Sequence, residues 1–193
     1  NLTNSSREER GPDWSPDGLQ VVYEVGDGRN NGELWVMDAN GRDQHRLLDR
    51  SVSGRAPTWS PDGQKIAFMR QEADGYWQIY VLNLNNERET KLSHRNEHCR
   101  FPTWSPDSRY LAYNTYDRLS PSGQTYEVWR VLASGSGSPQ RLTFNDENGR
   151  PSWSPDGQSI VFNHGDDLYR MDADGDNVYI MSNTEQGWAP DWH

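Results

Sequence analysis

The tetrapeptide Trp-Ser-Pro-Asp occurs four times in this chain, and the repetition constrains the fold more than any other feature. The copies begin at Trp14, Trp59, Trp104 and Trp153, and a proline precedes each by two residues. A fifth, cut-off copy, Pro190-Asp191-Trp192, closes the sequence, so the spacings are 45, 45, 49 and 39 residues. A period of this length indicates an array of like supersecondary units.

Each motif is followed by three short runs that predict strands. The first run is β-branched and aromatic, as in Val21-Val22-Tyr23, and the second follows a polar residue, as in Glu33 before Leu34-Trp35-Val36-Met37. After a polar turn come the final runs Arg46-Leu47-Leu48, Lys91-Leu92-Ser93, Arg141-Leu142-Thr143 and Tyr179-Ile180-Met181. Short apolar runs bounded by turn residues are typical of strands. With the Pro-x-Trp segment, each unit has four predicted strands.

Four short antiparallel strands in each period of about 40–50 residues are typical of a β-propeller blade. The sequence therefore predicts an all-β fold, a β-propeller with about four blades in a single domain over residues 1–193. The predicted blades cover about residues 11–49, 56–94, 101–144 and 150–182.

The repeat resembles that of a known family. The order Pro-x-Trp-Ser-Pro-Asp-Gly, an Ile-Ala-Phe-like strand, Leu-Trp-Val-Met-Asp and Arg-Leu-Thr resembles the TolB-type propeller repeat, a relative in shape of the WD repeat. The resemblance covers essentially the whole chain. It implies a non-enzymatic module that binds a protein or peptide at the channel mouth or top loops, in a periplasmic or extracellular setting. Similar repeats also form propeller domains of tricorn-like and prolyl-oligopeptidase-type peptidases, so a gating domain is an alternative.

The motif residues have predicted structural roles. The four motif tryptophans are expected to wedge between neighbouring blades. The motif aspartates should accept backbone hydrogen bonds in a tight turn, with glycine next to them supplying positive φ. These aspartates are Asp17, Asp62, Asp107 and Asp156, and Ser108 replaces the glycine in the third unit.

The two ends of the chain share one register. Leu2-Thr3 aligns with Leu142-Thr143, as the tail of a preceding outer strand, while residues 190–192 repeat Pro12-Asp13-Trp14. Unpaired strand edges invite further pairing. Three arrangements follow: a piece of a larger propeller, a self-closed ring of four blades, or a ring or fibre built from several copies through open blade edges.

Composition limits the partners. The formal net charge is −10, which disfavours nucleic acid and anionic lipid as ligands. The sequence has no apolar run of about 20 residues and no signal-peptide pattern, so membrane insertion is not expected. The chain begins at Asn1 rather than at methionine, which indicates a processed chain or a fragment. The single cysteine, Cys99, excludes an intramolecular disulfide; it is predicted to lie in a loop beside His98, without a catalytic role.

Arginine recurs just before the innermost predicted strand. Arg10, Arg55 and Arg100 each lie two residues before the motif proline, and Arg150 lies one residue before it. We expect the loops that carry them to meet at one mouth of the channel, where the four charges would attract a carboxylate or an acidic peptide end. The alternative is that each arginine pairs with an acid of its own loop, such as Glu8, and braces that loop.

Other candidate sites are weaker. Asp172, Asp174 and Asp176 resemble the start of a calcium loop, but the equivalent segment of the first unit is plainly a hairpin turn, so a turn is favoured. Asn1 and Asn4 stand in N-glycosylation patterns, which we interpret as chance matches. No Gly-x-Ser-x-Gly nucleophile motif is present, and the sequence implies no cofactor and no metal.

Overall fold

The computed structural model describes residues 1–26, 32–48, 53–93, 97–117, 125–144 and 148–182, which form sixteen β-strands in four sheets. Blade 1 contains β1 (Glu8–Trp14), β2 (Gln20–Gly26), β3 (Glu33–Asp38) and β4 (His45–Arg46). Blade 2 contains β5 (Arg55–Trp59), β6 (Lys65–Gln71), β7 (Trp77–Asn83) and β8 (Glu89–Lys91). Blade 3 contains β9 (His98–Trp104), β10 (Tyr110–Asp117), β11 (Thr125–Leu132) and β12 (Gln140–Arg141). Blade 4 contains β13 (Ser152–Trp153), β14 (Ser159–His164), β15 (Asp167–Asp172) and β16 (Tyr179–Ser182).

The predicted all-β fold of four-stranded antiparallel blades is confirmed. In every blade the strands pair in chain order and antiparallel to one another. The first strands are innermost, because β1 packs against β5, β5 against β9 and β9 against β13. Within the described ranges there is no helix, and hence none long and apolar enough to cross a membrane.

The Trp-Ser-Pro-Asp motif forms the same tight turn in each blade. In blade 1 the Ser15 hydroxyl donates to Asp17 Oδ1 at 2.6 Å, and the Leu19 N–H donates to the same oxygen at 3.0 Å. The Gln20 N–H donates to Ser15 Oγ at 2.9 Å, which closes the turn onto β2. The Ser15 hydroxyl first, and then the Leu19 N–H, hold the pKa of Asp17 below its usual value. Gly18 adopts the positive φ of 71° that the turn requires.

Ser108 takes the glycine position in blade 3 for a reason that the sequence did not reveal. It adopts a φ of 59°, which costs a non-glycine residue more than glycine. Its Oγ atom accepts the Asp62 N–H at 3.0 Å and so joins the turn of blade 3 to that of blade 2. The hydroxyl offsets the backbone strain by satisfying a donor of the neighbouring blade.

Three of the motif tryptophans lie between blades, as predicted. Trp59, Trp104 and Trp153 are 8%, 6% and 7% exposed. Each packs on the preceding blade: Trp59 on Val22 and Val36, for example. The indole N–H of Trp104 also donates to the carbonyl of Thr58 at 3.1 Å, which fixes the ring across the seam between blades 2 and 3.

Trp14 differs from the other three motif tryptophans. Its side chain is 55% exposed, because no described blade precedes blade 1. It borders a cavity of about 370 Å³ with Leu2, Val21, Tyr23 and Met37. The carbonyl of Leu2 accepts a hydrogen bond from Gln44 Nε2 at 3.2 Å, so the N-terminal segment covers part of this face.

The final strands of blades 1 to 3 each end two residues earlier than predicted, at Arg46, Lys91 and Arg141. In blades 2 and 3 a side chain replaces the strand ladder, whereas blade 1 has Leu48 at this position. In blade 2 the Ile79 N–H donates to Ser93 Oγ at 2.8 Å. In blade 3 the Val128 N–H donates to Thr143 Oγ1 at 2.9 Å, where a longer strand would have offered a carbonyl. In the Arg-Leu-Thr run, Arg141 therefore belongs to the strand, and Thr143 is joined to β11 through its side chain.

Cys99 was also misplaced by the prediction of a loop. It lies in β9 and is fully buried. The first strand of blade 3 extends beyond the motif proline, because pairing with β10 resumes after a register shift at Ala112/Asn114. The thiol is therefore part of the core between blades 2 and 3.

Candidate functional site

The candidate site lies at the end of each blade where the first strand begins, which we call the loop end. In blade 1 the start of β1 is opposite the end of β2, since Glu8 pairs with Gly26, and β3 begins at the same end, since Val25 pairs with Glu33. The four Trp-Ser-Pro-Asp turns lie at the opposite end, the turn end. The strand ends that are joined by the connections between second and third strands, and between blades, thus lie at the loop end.

Three of the predicted arginines occupy one layer of the propeller at this end. Arg10, Arg55 and Arg100 lie inside β1, β5 and β9, not in loops, and are register partners of the second-strand residues Glu24, Met69 and Asn114. The loop prediction was wrong because a bulge after each arginine lets pairing continue upstream of the proline.

Arg150 does not belong to this layer. It lies three residues before its motif tryptophan, where the other blades have Gly11, Ala56 and Phe101, each with a φ of about 50°. Its guanidinium carbon is 4.1 Å from the centre of the Phe101 ring in blade 3. Arg150 therefore meets the residue that follows Arg100, and the fold brings these two arginines to one seam.

Arg10 and Arg55 are neutralised to different extents. Arg10 forms an ion pair with Glu8 of its own strand, and this hydrogen bond raises the pKa of Arg10 above its usual value. Arg55 Nε lies 3.3 Å from Glu24 Oε1 of the preceding blade, and its guanidinium carbon is 5.3 Å from the centre of the Trp77 ring. Nε and Nη2 of Arg55 are buried without a hydrogen-bond partner in the described structure.

Arg100 and Arg150 keep their full charge. Neither forms an ion pair with any carboxylate of the described residues, and each guanidinium lies against an aromatic ring instead. For Arg100 that ring is Tyr116, 5.3 Å away. A guanidinium on an aromatic face retains its donors for a ligand.

An unpaired buried amide lies beside Arg100. Asn114 is only 3% exposed, and its Oδ1 atom has no hydrogen-bond partner among the described residues. Tyr116, two residues further along β10, stacks on Tyr126 with the ring centres 4.9 Å apart. The site thus combines two free cations, one unsatisfied polar side chain and an aromatic wall.

Sequence reasoning missed a buried anchor next to this site. Glu127, 4% exposed, accepts hydrogen bonds from Thr143 Oγ1, Arg141 and, at 3.1 Å, Asn148 Nδ2. These bonds fix the last strand of blade 3 and the first residues of blade 4 to β11. The signal was visible in the sequence, since a polar residue recurs before every third strand, and Gln78 in blade 2 accepts from Ser93 Oγ at 2.7 Å in the same way.

The other candidates lie elsewhere. Asp172 and Asp176 belong to the turn between β15 and β16, where the Asp172 N–H donates to the Asp176 carbonyl at 2.8 Å and Asp174 Oδ1 accepts the Asp176 N–H. Asn1 and Asn4 are exposed at the N-terminal segment, and Asn1 Oδ1 accepts the Asn4 N–H at 3.1 Å. In the parts of the chain that are described, no three His, Cys, Asp or Glu side chains group as metal ligands would.

Comparison with known proteins gives a family and several similar folds. A family model described as the TolB beta propeller domain matches residues 2–193. A search among curated proteins found no match. Among solved structures, TolB from Acinetobacter baumannii is similar with a TM-score of 0.73 and 22% identity over 98% of this chain and 47% of that chain.

Two enzymes also contain a similar fold. The acylaminoacyl peptidase of Pyrococcus horikoshii matches with a TM-score of 0.70 and 18% identity over 95% of this chain and 33% of its own. An oligogalacturonate lyase from Vibrio parahaemolyticus matches with a TM-score of 0.69 and 12% identity over 92% of this chain and 54% of its own. The chain thus spans about half or less of the length of these three proteins, and at such identities the likeness concerns the fold alone.

Proposed function

We propose that the chain, which belongs to the TolB β-propeller domain family, is a non-enzymatic module that binds a protein or peptide through an anionic group at its loop end. The observation that carries this proposal is the pair of un-neutralised arginines, Arg100 and Arg150, at one seam of the propeller. The chain has 29 acidic and 19 basic residues, so two cations without a carboxylate partner create a local positive charge on an otherwise acidic protein.

The electrostatics favour an anionic partner group. Six described arginines are paired with carboxylates, as Arg70 is with Glu89 at 2.7 Å, so their charge is largely cancelled. Arg100 and Arg150 are not, and the incompletely paired Arg55 lies in the layer of Arg100. Local positive potential within an acidic surface focuses anions and steers them to one spot.

A periplasmic or extracellular location goes with this proposal, and cell fractionation with an antibody to the chain would test it.

The test is peptide binding to charge-matched variants. A fluorescein-labelled acidic peptide, Gly-Glu-Asp-Gly-Phe, should bind the wild type with an affinity that falls steeply with salt, because the Debye length shrinks from about 10 Å at 0.1 M to about 3 Å at 1 M. Arg100→Ala with Arg150→Ala should weaken binding by about tenfold or more, since charge-assisted bonds contribute about 1.5–3 kcal/mol each. Fluorescence anisotropy measures both effects.

The control removes the same two charges from the turn end. Arg42 and Arg109 are exposed there, so Arg42→Ala with Arg109→Ala should leave the affinity within about twofold of wild type. Equal weakening by both double variants would mean that net charge alone governs binding, and the site proposal would fall.

A second candidate function is assembly of copies through blade edges, and the exposed Trp14 favours it. Its three counterparts are buried against a preceding blade, and the last strand of blade 4 exposes Tyr179 and Met181 at 47% and 48%. Head-to-tail contact would cover both faces. Sedimentation equilibrium should then show a mass that rises with concentration and becomes monomeric on Trp14→Ala; a monomer at every concentration would rule this out.

A gating role in a peptidase is the remaining alternative. The similarity in fold to the acylaminoacyl peptidase of Pyrococcus horikoshii is compatible with it. A hydrolase domain with Gly-x-Ser-x-Gly in the same natural polypeptide would favour gating, and a purified natural protein without such a domain would exclude it.

A further inference from the structure

We propose that the seam between blades 3 and 4 at the loop end binds the C-terminal residue of a peptide. Arg100 and Arg150 hold its carboxylate, and Asn114 Oδ1 accepts its backbone N–H. This inference rests on the proposed binding function, and it adds the chemical group that is recognised.

Asn114 is the residue that points to a ligand. Its counterparts in blades 1 and 2 have a partner across the seam: Glu24 accepts the Ala56 N–H at 3.4 Å, and the sulfur of Met69 accepts the Phe101 N–H at 3.2 Å. Asn114 occupies the same position, yet its buried Oδ1 accepts nothing from the described residues. A buried acceptor without a donor is costly, so a donor brought by a ligand would be strongly favoured there.

The register places the cation and the amide side by side. Arg100 and Asn114 are direct partners of the β9–β10 pair, and side chains of directly opposed residues project from the same face of a sheet. Tyr116, two residues after Asn114, lies on that face as well, which agrees with the position of the Arg100 guanidinium over its ring. One face of blade 3 therefore presents a cation, an unpaired amide and an aromatic wall in a row.

Blade 4 contributes the second cation from across the seam. Arg150 lies over Phe101, the residue next to Arg100, and the Asn148 N–H just before it donates to the Tyr126 carbonyl at 2.9 Å. This backbone bond fixes the start of blade 4 against blade 3. The two guanidinium groups are thus supplied by different blades, and each is held by a rigid neighbour.

A peptide C-terminus matches these groups better than other anions. Its last residue carries a carboxylate, an adjacent N–H and a side chain within one short unit, which correspond to the arginines, Asn114 and the aromatic wall. Arginine forks bind carboxylates bidentately. Inorganic phosphate would satisfy only the arginines, and an internal Asp or Glu separates its carboxylate from the backbone N–H by a flexible stem.

The proposal makes an unusual prediction for Asn114→Leu. Leucine is similar in size and removes the unpaired buried acceptor, so the melting temperature of the free protein should stay the same or rise. Binding of a free C-terminus should nevertheless weaken by about tenfold, the equivalent of about 1.4 kcal/mol or one hydrogen bond. If Asn114 served only to stabilise the fold, Asn114→Leu would lower the melting temperature of the free protein.

The closing experiment uses two peptides without acidic side chains. Fluorescein-labelled Gly-Ser-Gly-Ala-Phe is prepared with a free C-terminal carboxylate and with a C-terminal amide, and anisotropy is measured with wild type, Asn114→Leu and the Arg100→Ala/Arg150→Ala variant. We expect the amide to bind wild type at least tenfold more weakly than the free acid, and both variants to lose the difference.

The outcomes separate this inference from the proposed function. Equal binding of acid and amide, or binding of the acidic peptide only, would overturn the C-terminal site while leaving the anionic-group proposal in place. A fall in melting temperature of Asn114→Leu without a change in affinity would overturn the role of Asn114. If none of the three peptides binds, both proposals fail together.

Discussion

Trp104→Ala is expected to lower the free energy of unfolding by about 3–5 kcal/mol, as for other large buried aromatics. The indole fills the seam between blades 2 and 3, where it packs in one cluster with Ala67 and Val81 of the preceding blade. Its removal also leaves the Thr58 carbonyl without the donor that it has at 3.1 Å. Both losses act on the contact that joins two blades.

The matched control is the same substitution at the first copy of the motif. Trp14 has the same local sequence but is 55% exposed, so Trp14→Ala should cost less than about 1 kcal/mol. Urea denaturation followed by tyrosine fluorescence or circular dichroism measures both. Similar losses for the two variants would show that the tryptophan acts within its own turn and not between blades.

Glu127→Ala should destabilise by about 3 kcal/mol, because it removes the acceptor of three donors and leaves them unpaired at a buried position. Thr143, Arg141 and Asn148 lose their carboxylate acceptor at once. The bond from the Asn148 N–H to the Tyr126 carbonyl is then left to join β11 to the start of blade 4. Glu127→Gln should recover a large part of the loss, because Gln78 performs the corresponding task in blade 2.

An exposed ion pair serves as the control for Glu127. Glu8 pairs with Arg10 with about half of each side chain exposed, so Glu8→Ala should cost about 0–1 kcal/mol. Chemical denaturation of the three variants under the same buffer tests the series. If Glu127→Ala lowered the free energy of unfolding as little as Glu8→Ala, water would be replacing the carboxylate. Glu127 would then not stabilise the contact between β11 and its neighbours.

The fold could be predicted from the sequence because each repeat depends on hydrogen bonds between residues that are close together in the chain. The Ser15–Asp17 turn needs only residues that lie next to one another, so four copies of Trp-Ser-Pro-Asp were enough to predict four blades. The exposure of Trp14 could not be predicted from its motif, because the burial of this tryptophan depends on a preceding blade. The early end of β12 at Arg141 was missed because a threonine hydroxyl, not a carbonyl, takes the next donor.

The candidate site was only partly accessible from the sequence. The recurrence of arginine was visible, but its partners were not, since Arg55 meets Glu24 of another blade and Arg150 meets Phe101. Arg150 lies one residue closer to its motif proline than Arg100 does, and it precedes β13 (Ser152–Trp153) instead of lying inside a first strand. Asn114 gave no signal at all, because an unpaired buried amide can be recognised only when its surroundings are known.

Nuclear magnetic resonance on the labelled chain tests the central claim most directly. On titration with Gly-Glu-Asp-Gly-Phe, the largest shifts should fall on the Nε–H groups of Arg100 and Arg150 and on the amide of Tyr116, and they should vanish at high salt. The turn end, represented by Asp17, should not respond. Shifts concentrated at Trp14 or at Asp17, with the two arginines unchanged, would contradict a binding site at the loop end.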